Sequence, residues 1–565
     1  MANSATDLRP PAWHLFVPKL FTALRGGYHL ADLRADAIAG ATVAIVALPL
    51  AMALAIASGT TPDKGLVTAV VAGFLISALG GSRFQIGGPT GAFVVVVFNV
   101  IRVHGYDGLV MATLMAGAIL VIAGLCRLGS WIKYIPEPVV TGFTSGIAII
   151  IFTSQIKDFF GLTIAGNPAG VIEQWAAYVR AAGTLSPVTF ATAALALAGI
   201  LILKRVAPKL PGFLIAVVLS GLAVHFFGLP VETIGTRFGG IPTGLPTPAW
   251  PSFDMARIGE LVPSAFTIAF LAGVESLLSA MVADGMTGRR HRSNCELVGQ
   301  GVANAASALF GGLPATGAIA RTATNIRAGG RTPVAGMLHA VFLLIAMVVL
   351  GPYAVDVPLA TLAAILMVVA WGMSEAPKVI HLALTAPKGD RLVLLVTLVL
   401  TVAVDLTVAI EVGVVLAAIL FMHRMAEVVA IARGAPILDE DDRDDFDHAP
   451  TLGTGRETLP EGVERFQLSG PLFFGAAMRL GDTLGDIGVH PRALIIDMEQ
   501  VPLVDSSGVG AISEVVRKMR AGGTRVVLTG VQEQPARVLE QMGLGPDSGK
   551  LDFAADLDGA LALIG

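Results

Sequence analysis

Hydrophobic positions run along this chain in long, nearly unbroken blocks rather than in the stripes of a soluble helix. From near Ala37 to near Met425 apolar runs long enough to cross a bilayer, about 20 residues each, recur with no large polar insertion. The pattern predicts fourteen spans, near residues 36–58, 63–80, 89–102, 108–127, 139–157, 187–204, 211–228, 259–283, 296–311, 317–328, 333–352, 357–373, 390–405 and 407–425. The third and the tenth are too short to cross as full helices. Half-length helices at membrane depth are tolerated only where the broken backbone is buried in protein or lines a cavity.

Beyond the last span the pattern changes. A dense acidic run, Asp439-Glu440-Asp441-Asp442-Arg443-Asp444-Asp445, reads as a solvated linker. From Val463 strand-like and helix-like stretches alternate: Val463 to Leu468 as an edge strand, Ala493 to Asp497 and Thr524 to Thr529 as further strands, and helices near 506–520, 533–542 and 555–563. This makes a small α/β module. The expected organisation is an N-terminal segment over 1–35, a transmembrane domain over 36–430, an acidic linker over 431–460 and the α/β domain over 461–565.

Composition agrees. Of 565 residues 54% are hydrophobic and 14% charged, and the mean hydropathy is +0.74, more apolar material than a soluble core uses. The net charge of −4 gives no sign of a nucleic-acid partner. The first 35 residues lack the short apolar core and cleavage site of a signal peptide, so the first span serves as its own insertion signal. Short connections on one side carry Arg83, Arg127 and Lys133, Lys204, Arg205 and Lys209, Arg289, Arg290 and Arg292, Arg327 and Arg331, then Lys378, Lys388 and Arg391. Lys64, Arg102, Arg180 and Arg237 are the main exceptions opposite them. The positive-inside rule then places both termini and the α/β domain in the cytoplasm of an inner-membrane protein.

Two matching breaks organise the membrane part, Gly88-Pro89-Thr90-Gly91-Ala92-Phe93 and Leu313-Pro314-Ala315-Thr316-Gly317-Ala318-Ile319. Each carries Thr-Gly-Ala behind a glycine- and proline-containing interruption, and the same offset sets Pro49 of the first span opposite Glu275. A helix that restarts after a break offers free backbone N–H groups and a positive dipole end, which attract anions. In transporters, interrupted segments at corresponding places of two halves point to the substrate site.

Glu275 lies in the middle of an apolar span, where an acidic group costs about 2.5 to 3.5 kcal/mol on insertion scales. It faces the bundle interior or a wet cavity, as a proton carrier, a cation site or a structural carboxylate. Ser279 is one turn further on the same face. Arg321, early in the short tenth helix, is either an anion hook able to make two hydrogen bonds or a partner for Glu275. Asp505-Ser506-Ser507-Gly508 opens a helix, where Asp and Ser are ordinary caps, and a phosphate on Ser506 would sit well on the dipole. No Walker sequence or dinucleotide fingerprint is present, which argues against an ATP-driven pump and gives no cofactor. Neither the ten scattered histidines nor Cys126 and Cys295, in separate spans, suggest a metal site or a disulfide.

Several stretches resemble the sulfate permease (SulP) family. They are Ala47-Leu48-Pro49-Leu50-Ala51-Met52-Ala53, Gly81-Ser82-Arg83 with Gly88-Pro89-Thr90, Gly142-Phe143-Thr144-Ser145-Gly146, Asp284-Gly285-Met286-Thr287-Gly288, Glu296-Leu297-Val298-Gly299-Gln300-Gly301, and Gly317-Ala318-Ile319-Ala320-Arg321-Thr322-Ala323-Thr324-Asn325. The tail, with Gly470-Pro471-Leu472-Phe473-Phe474 and Asp505-Ser506-Ser507-Gly508, resembles the sulfate transporter and anti-sigma-factor antagonist (STAS) domain. Within the family the chain resembles bacterial members that carry four-carbon dicarboxylates such as fumarate and succinate.

The resemblance implies an α-helical membrane protein with fourteen spans in a seven-plus-seven inverted repeat, divided into core and gate domains, with a cytoplasmic STAS domain. It implies a homodimer in the lipid bilayer and an elevator movement of core against gate. It makes Thr90, Gly91, Ala92 and Phe93, with Ser279, Gly317, Ala318, Ile319, Ala320 and Arg321, the candidate substrate-binding residues, and Glu275 the acidic, proton-coupling position. The family's sodium-driven bicarbonate carriers have aspartate at that position and lack the arginine, so Glu275 with Arg321 favours proton over sodium coupling. In the soluble antagonists the serine matching Ser506 is phosphorylated. The expected function is proton-coupled uptake of a dicarboxylate, with sulfate, bicarbonate or uncoupled anion exchange as alternatives.

Overall fold

The computed structural model describes residues 12–130, 136–164, 170–208, 210–251, 255–404, 406–428, 430–432, 459–460, 462–473 and 491–564. The first eleven residues, Lys133, Lys209, Phe474 and the acidic run over 433–458 lie outside them. The chain divides into two units, Met1–Val414 and Val415–Gly565.

In the first unit a short helix α1 (Lys19–Arg25) precedes α2 (Leu30–Ala57) and α3 (Pro62–Leu79). A two-residue strand β1 (Gly87–Gly88) leads into α4 (Ala92–Leu125), followed by α5 (Glu137–Phe160), α6 (Val171–Arg180), α7 (Pro187–Val206), α8 (Gly212–Phe227) and α9 (Ile234–Phe238). The order of long helix, helix, two-residue strand and restarted helix then recurs as α10 (Met255–Thr287), α11 (Ser293–Leu309), β2 (Thr316–Gly317) and α12 (Ile319–Arg327). After it come α13 (Val334–Leu350), α14 (Leu359–Met373), α15 (Ala376–Thr385) and α16 (Lys388–Ala403), and then α17 (Leu406–Val428), which begins in the first unit and ends in the second.

Among the described residues nine helices are long and apolar enough to cross a membrane. The other expected spans correspond to the shorter helices α8, α11, α12 and α16, and to the second segment of α4. That helix contains both the third and the fourth expected spans, joined across Gly105. At φ 74 Gly105 breaks the helical path, a conformation only glycine adopts cheaply. The segment over 92–104 is about 20 Å long and α12 about 14 Å, both under the roughly 30 Å hydrocarbon core.

Within this unit α2, α3, α4, α10, α11, α12 and α13 pack on one another, and α5, α7, α8, α14 and α16 form a second group. Small residues allow the close crossings. A Cβ on Gly117 of α4 would stand 2.7 Å from the Gly301 carbonyl of α11, and one on Gly301 would stand 2.5 Å from the Gly117 carbonyl. Backbone approach of this kind replaces the hydrophobic drive that lipid removes. Outer faces stay apolar, with Leu195, Leu219, Phe226 and Phe227 exposed, as a bilayer surround allows.

The second unit holds a five-stranded sheet in the order β3 (Ala430–Ala432), β4 (Val463–Ser469), β5 (Ala493–Gln500), β6 (Arg525–Thr529), β7 (Asp552–Ala554). β4 to β7 are parallel and β3 is antiparallel to β4. Helices α18 (Ser506–Ala521), α19 (Glu533–Gln541) and α20 (Leu557–Ile564) accompany it. β4 is therefore interior, not the edge strand its alternation predicts. Its extra neighbour lies on the far side of the acidic run in sequence and is three apolar residues long, too short to stand out from the last span.

Candidate functional site

The two breaks meet. β1 and β2 pair antiparallel, Gly87 opposite Gly317 and Gly88 opposite Thr316, and the Ala318 N–H donates to the Ile86 carbonyl over 2.8 Å. Glycine permits this ladder. Gly88 sits at φ 149, and a Cβ there would stand 2.5 Å from Arg321 Nη1. Immediately beyond the ladder the chain restarts as α4 from Gly91 and α12 from Ala318. The first N–H groups of both helices have no intrahelical acceptors, so two positive helix ends share one region.

Arg321 leans across the gap. Its Nη2 donates to the Pro89 carbonyl over 3.0 Å, while Nη1 is buried without a hydrogen-bond partner. A guanidinium hydrogen left unpaired in a protein interior is costly, and an oxyanion would satisfy it. From the neighbouring helix α10, Glu275 accepts a 2.8 Å hydrogen bond from the Thr90 hydroxyl. One turn earlier the Ala272 carbonyl accepts from Thr316 Oγ1 over 2.9 Å. Thus α10 is stitched to both breaks.

Thr90, Gly91, Ala92, Phe93, Gly317, Ala318 and Arg321 are buried around the ladder, Glu275 is half-buried, and Ile319 and Ala320 are exposed on α12. Ser279 lies deeper and is engaged, donating to Thr322 Oγ1 over 3.1 Å, and the same oxygen accepts from the Ile86 N–H. Met373 of α14 and Ile151 of α5 close over Gly91, where an added Cβ would meet the Met373 sulfur at 2.5 Å and Ile151 at 3.3 Å. The site therefore sits where the two helix groups of the first unit face each other.

A second acid escapes a reading of single residues. Glu296 of α11, fully buried, accepts at Oε2 from the Gly81 N–H over 2.8 Å and the Ser82 N–H over 3.1 Å. At Oε1 it accepts from Ser276 over 3.0 Å and from Gln300 over 3.1 Å. Ser276 in turn accepts from Gln85 and Gln300. This network holds the turn that leads into β1. Its sequence signal is the polar stripe Glu296, Gln300, Asn304 and Ser307 on one face of an otherwise apolar helix. His339 of α13, buried with both ring nitrogens unpartnered, stands out in sequence only as a lone polar residue in an apolar run.

In the second unit Asp505 caps α18, accepting from the Gly508 N–H over 2.8 Å. Ser506 is the first residue of that helix and is exposed.

Sulfate permease family sequences match residues 33–397, and the STAS domain matches residues 459–558. The chain belongs to the sulfate permease family. By family it is an anion transporter rather than an enzyme, a multi-pass helical membrane protein with a C-terminal STAS domain. This sulfate permease family member is 42% identical over 529 residues to the "Putative sulfate transporter YvdB" of Bacillus subtilis (strain 168), covering 93% of this chain and 97% of that protein. It is 33% identical over 536 residues to the "Bicarbonate transporter BicA" of Picosynechococcus sp. (strain ATCC 27264 / PCC 7002 / PR-6), covering 91% and 92%. The murine anion transporter Slc26a9, in its inward-facing state, has the same fold at a TM-score of 0.84 and 17% identity, over 100% of this chain and 96% of that one. The transmembrane domain of a cyanobacterium bicarbonate transporter BicA aligns at a TM-score of 0.60 and 32% identity, over 69% and 98%.

Proposed function

We propose that this family member is a secondary transporter of small oxyanions that takes up a proton with its substrate. The observation that carries the reading is the buried, unpartnered Nη1 of Arg321 beside two helix starts. Thr90 to Phe93 and Gly317 to Arg321 line the anion seat. Ser279, bonded to Thr322, positions α12 against α10. Glu275 is the proton-coupling group: bound to Thr90, it balances Arg321 when the seat is empty, and a proton on it offsets the loss of that balance when an anion arrives. The substrate is a four-carbon dicarboxylate such as fumarate or succinate. Sulfate is the second reading, supported by the 42% identical Bacillus subtilis relative, which is named a putative sulfate transporter, and bicarbonate the third.

The proposed movement is of the elevator kind. The group holding β1, β2, α4, α10 and α12 acts as the moving core, and the group that presents Met373 and Ile151 to Gly91 acts as the gate. The protein works as a homodimer in the inner membrane with both termini and the STAS domain in the cytoplasm, and Ser506 is a site of phosphorylation. Purified protein in liposomes, given fumarate, sulfate or bicarbonate under imposed proton or sodium gradients, tests the proposal. Fumarate uptake that follows the proton gradient supports it. Uptake that ignores both gradients identifies an uncoupled exchanger, and uptake driven by sodium removes the proton role of Glu275.

A further inference from the structure

A second electropositive place lies away from the transport seat, where the N-terminal segment docks on the first unit. The Lys19 N–H donates to the Gly80 carbonyl over 3.1 Å, and the Arg292 N–H donates to the Gly81 carbonyl over 2.9 Å. Arg292 Nη1 donates to the Val17 carbonyl and to Thr22, and Nη2 meets His14. These bonds gather α1, the turn after α3 and the loop between α10 and α11, and with them the side chains of Lys19, Arg83, Arg289 and Arg292.

A carboxylate, Asp284, acts on Lys19 in the opposite sense to these cations but forms no ion pair with it. Asp284 is engaged by His291, through the ring at 2.7 Å and the backbone N–H at 3.1 Å. Among the described residues, the charged ends of Lys19, Arg83 and Arg289 have no ion-pair or hydrogen-bond partner, whereas both terminal nitrogens of Arg292 are engaged in holding the N-terminal segment. Burial first, then Arg292 and Arg83 and lastly Arg289, hold the Lys19 ammonium below its ordinary value, with Asp284 opposing them in part. Burial, Arg289 and Arg292 do the same to Arg83. Half-buried like charges at close quarters are unfavourable unless an anion joins them.

The surroundings say what kind of anion. α1 and the residues after it turn large apolar side chains outward, Phe21 at 51% and Leu30 at 80% exposure, with Leu15 and Leu24 also exposed. A short segment with apolar side chains on one side and cations on another suits the boundary between headgroups and acyl chains.

We propose that Lys19, Arg83 and Arg289 form a binding site for a phosphate group, and that the group belongs to an acidic membrane phospholipid whose acyl chains lie against Phe21, Leu24 and Leu30. The site is separate from the anion seat and independent of the transport reading. It is built on the turn whose Gly81 and Ser82 N–H groups bind Glu296, so a bound lipid steadies the approach to β1.

The experiment uses the full-length protein in detergent, titrated with phosphatidylglycerol, phosphatidylcholine or inorganic phosphate, and read by thermal unfolding and by lipid retained in native mass spectrometry. Phosphatidylglycerol raises the unfolding temperature and stays bound, and phosphatidylcholine does neither. Removing cations as Lys19→Gln, Arg83→Gln and Arg289→Gln weakens phosphatidylglycerol binding about fivefold for each. The charge-preserving set Lys19→Arg, Arg83→Lys and Arg289→Lys retains it, which separates loss of the site from loss of the fold. Equal responses to both lipids, or a triple Gln variant that binds like the wild type, overturn the site. Inorganic phosphate alone giving the full shift overturns the lipid assignment.

Discussion

Thr90 gives its hydroxyl hydrogen to the Glu275 carboxylate across 2.8 Å, joining the restart of one helix to the middle of another 185 positions away in sequence. On the other side of the ladder Arg321 reaches back to the Pro89 carbonyl, the residue just before Thr90. The acid and the base of this site are thus attached to adjacent residues of one break rather than to each other. Protonation of Glu275 removes its charge and adds an O–H donor beside Thr90, so a proton and an anion act on the same turn.

Glu275→Gln fixes that turn in a neutral state. The amide keeps the shape and can still accept from Thr90, so anion binding persists. Uptake by wild-type protein in liposomes is expected to rise as the outside is made more acidic than the inside, and the Gln variant to lose that response while retaining exchange of labelled substrate. A variant with an unchanged pH profile would remove Glu275 from the coupling path.

Arg321→Lys tests whether geometry or charge alone holds the anion. Lysine keeps the charge but lacks the planar fork that serves Pro89 and a substrate oxygen together. The expected result is a KM raised roughly ten- to a hundredfold, the loss of one charge-assisted hydrogen bond worth roughly 1.5–3 kcal/mol, with Arg321→Gln inactive. Substrate concentration dependence of liposome uptake gives both values, and a Lys variant with wild-type KM counts against the bidentate role.

Most of the membrane architecture was legible because apolar length and punctuation are local signals. The two Thr-Gly-Ala breaks appear as a β-ladder flanked by helix restarts, and Pro49 lies within α2 as Glu275 does within α10. What stayed hidden depends on pairing. Nothing near Ser279 reveals that it faces Thr322, because one helical turn selects a face but not the neighbour across it. The polar stripe of α11 marks Glu296 but not what it binds: its partners Gly81 and Ser82 are backbone N–H groups more than two hundred residues earlier in the chain. The edge strand β3 was missed because three residues carry too little period to separate a strand from the end of a span.

Gly88→Ala should separate folding from transport. The new Cβ would stand 2.5 Å from Arg321 Nη1, with its next neighbour at 3.6 Å, so the flexible guanidinium moves rather than the backbone. The left-handed φ adds strain of about 1–3 kcal/mol. The variant is expected to insert and purify with a modestly lowered Tm, and to lose most uptake because the anion-binding nitrogen is displaced. Normal uptake would show that Nη1 does not serve the substrate.

Glu296 separates a structural acid from a coupling one. Glu296→Ala leaves the buried N–H groups of Gly81 and Ser82 without their acceptor, at about 1–3 kcal/mol for each unsatisfied donor, and opens a void. Glu296→Gln is milder. Its oxygen can face the two backbone donors while its NH2 turns to Gln300, whose Oε1 is buried and unpartnered and can accept after an amide flip. Thermal unfolding in detergent should therefore rank wild type first, Gln a few degrees lower and Ala far below or unrecoverable. The Gln variant should keep the pH response of uptake that Glu275→Gln loses. An Ala variant as stable as the wild type would mean the turn before β1 is held by something other than this carboxylate, and a Gln variant without pH response would move the coupling role from α10 to α11.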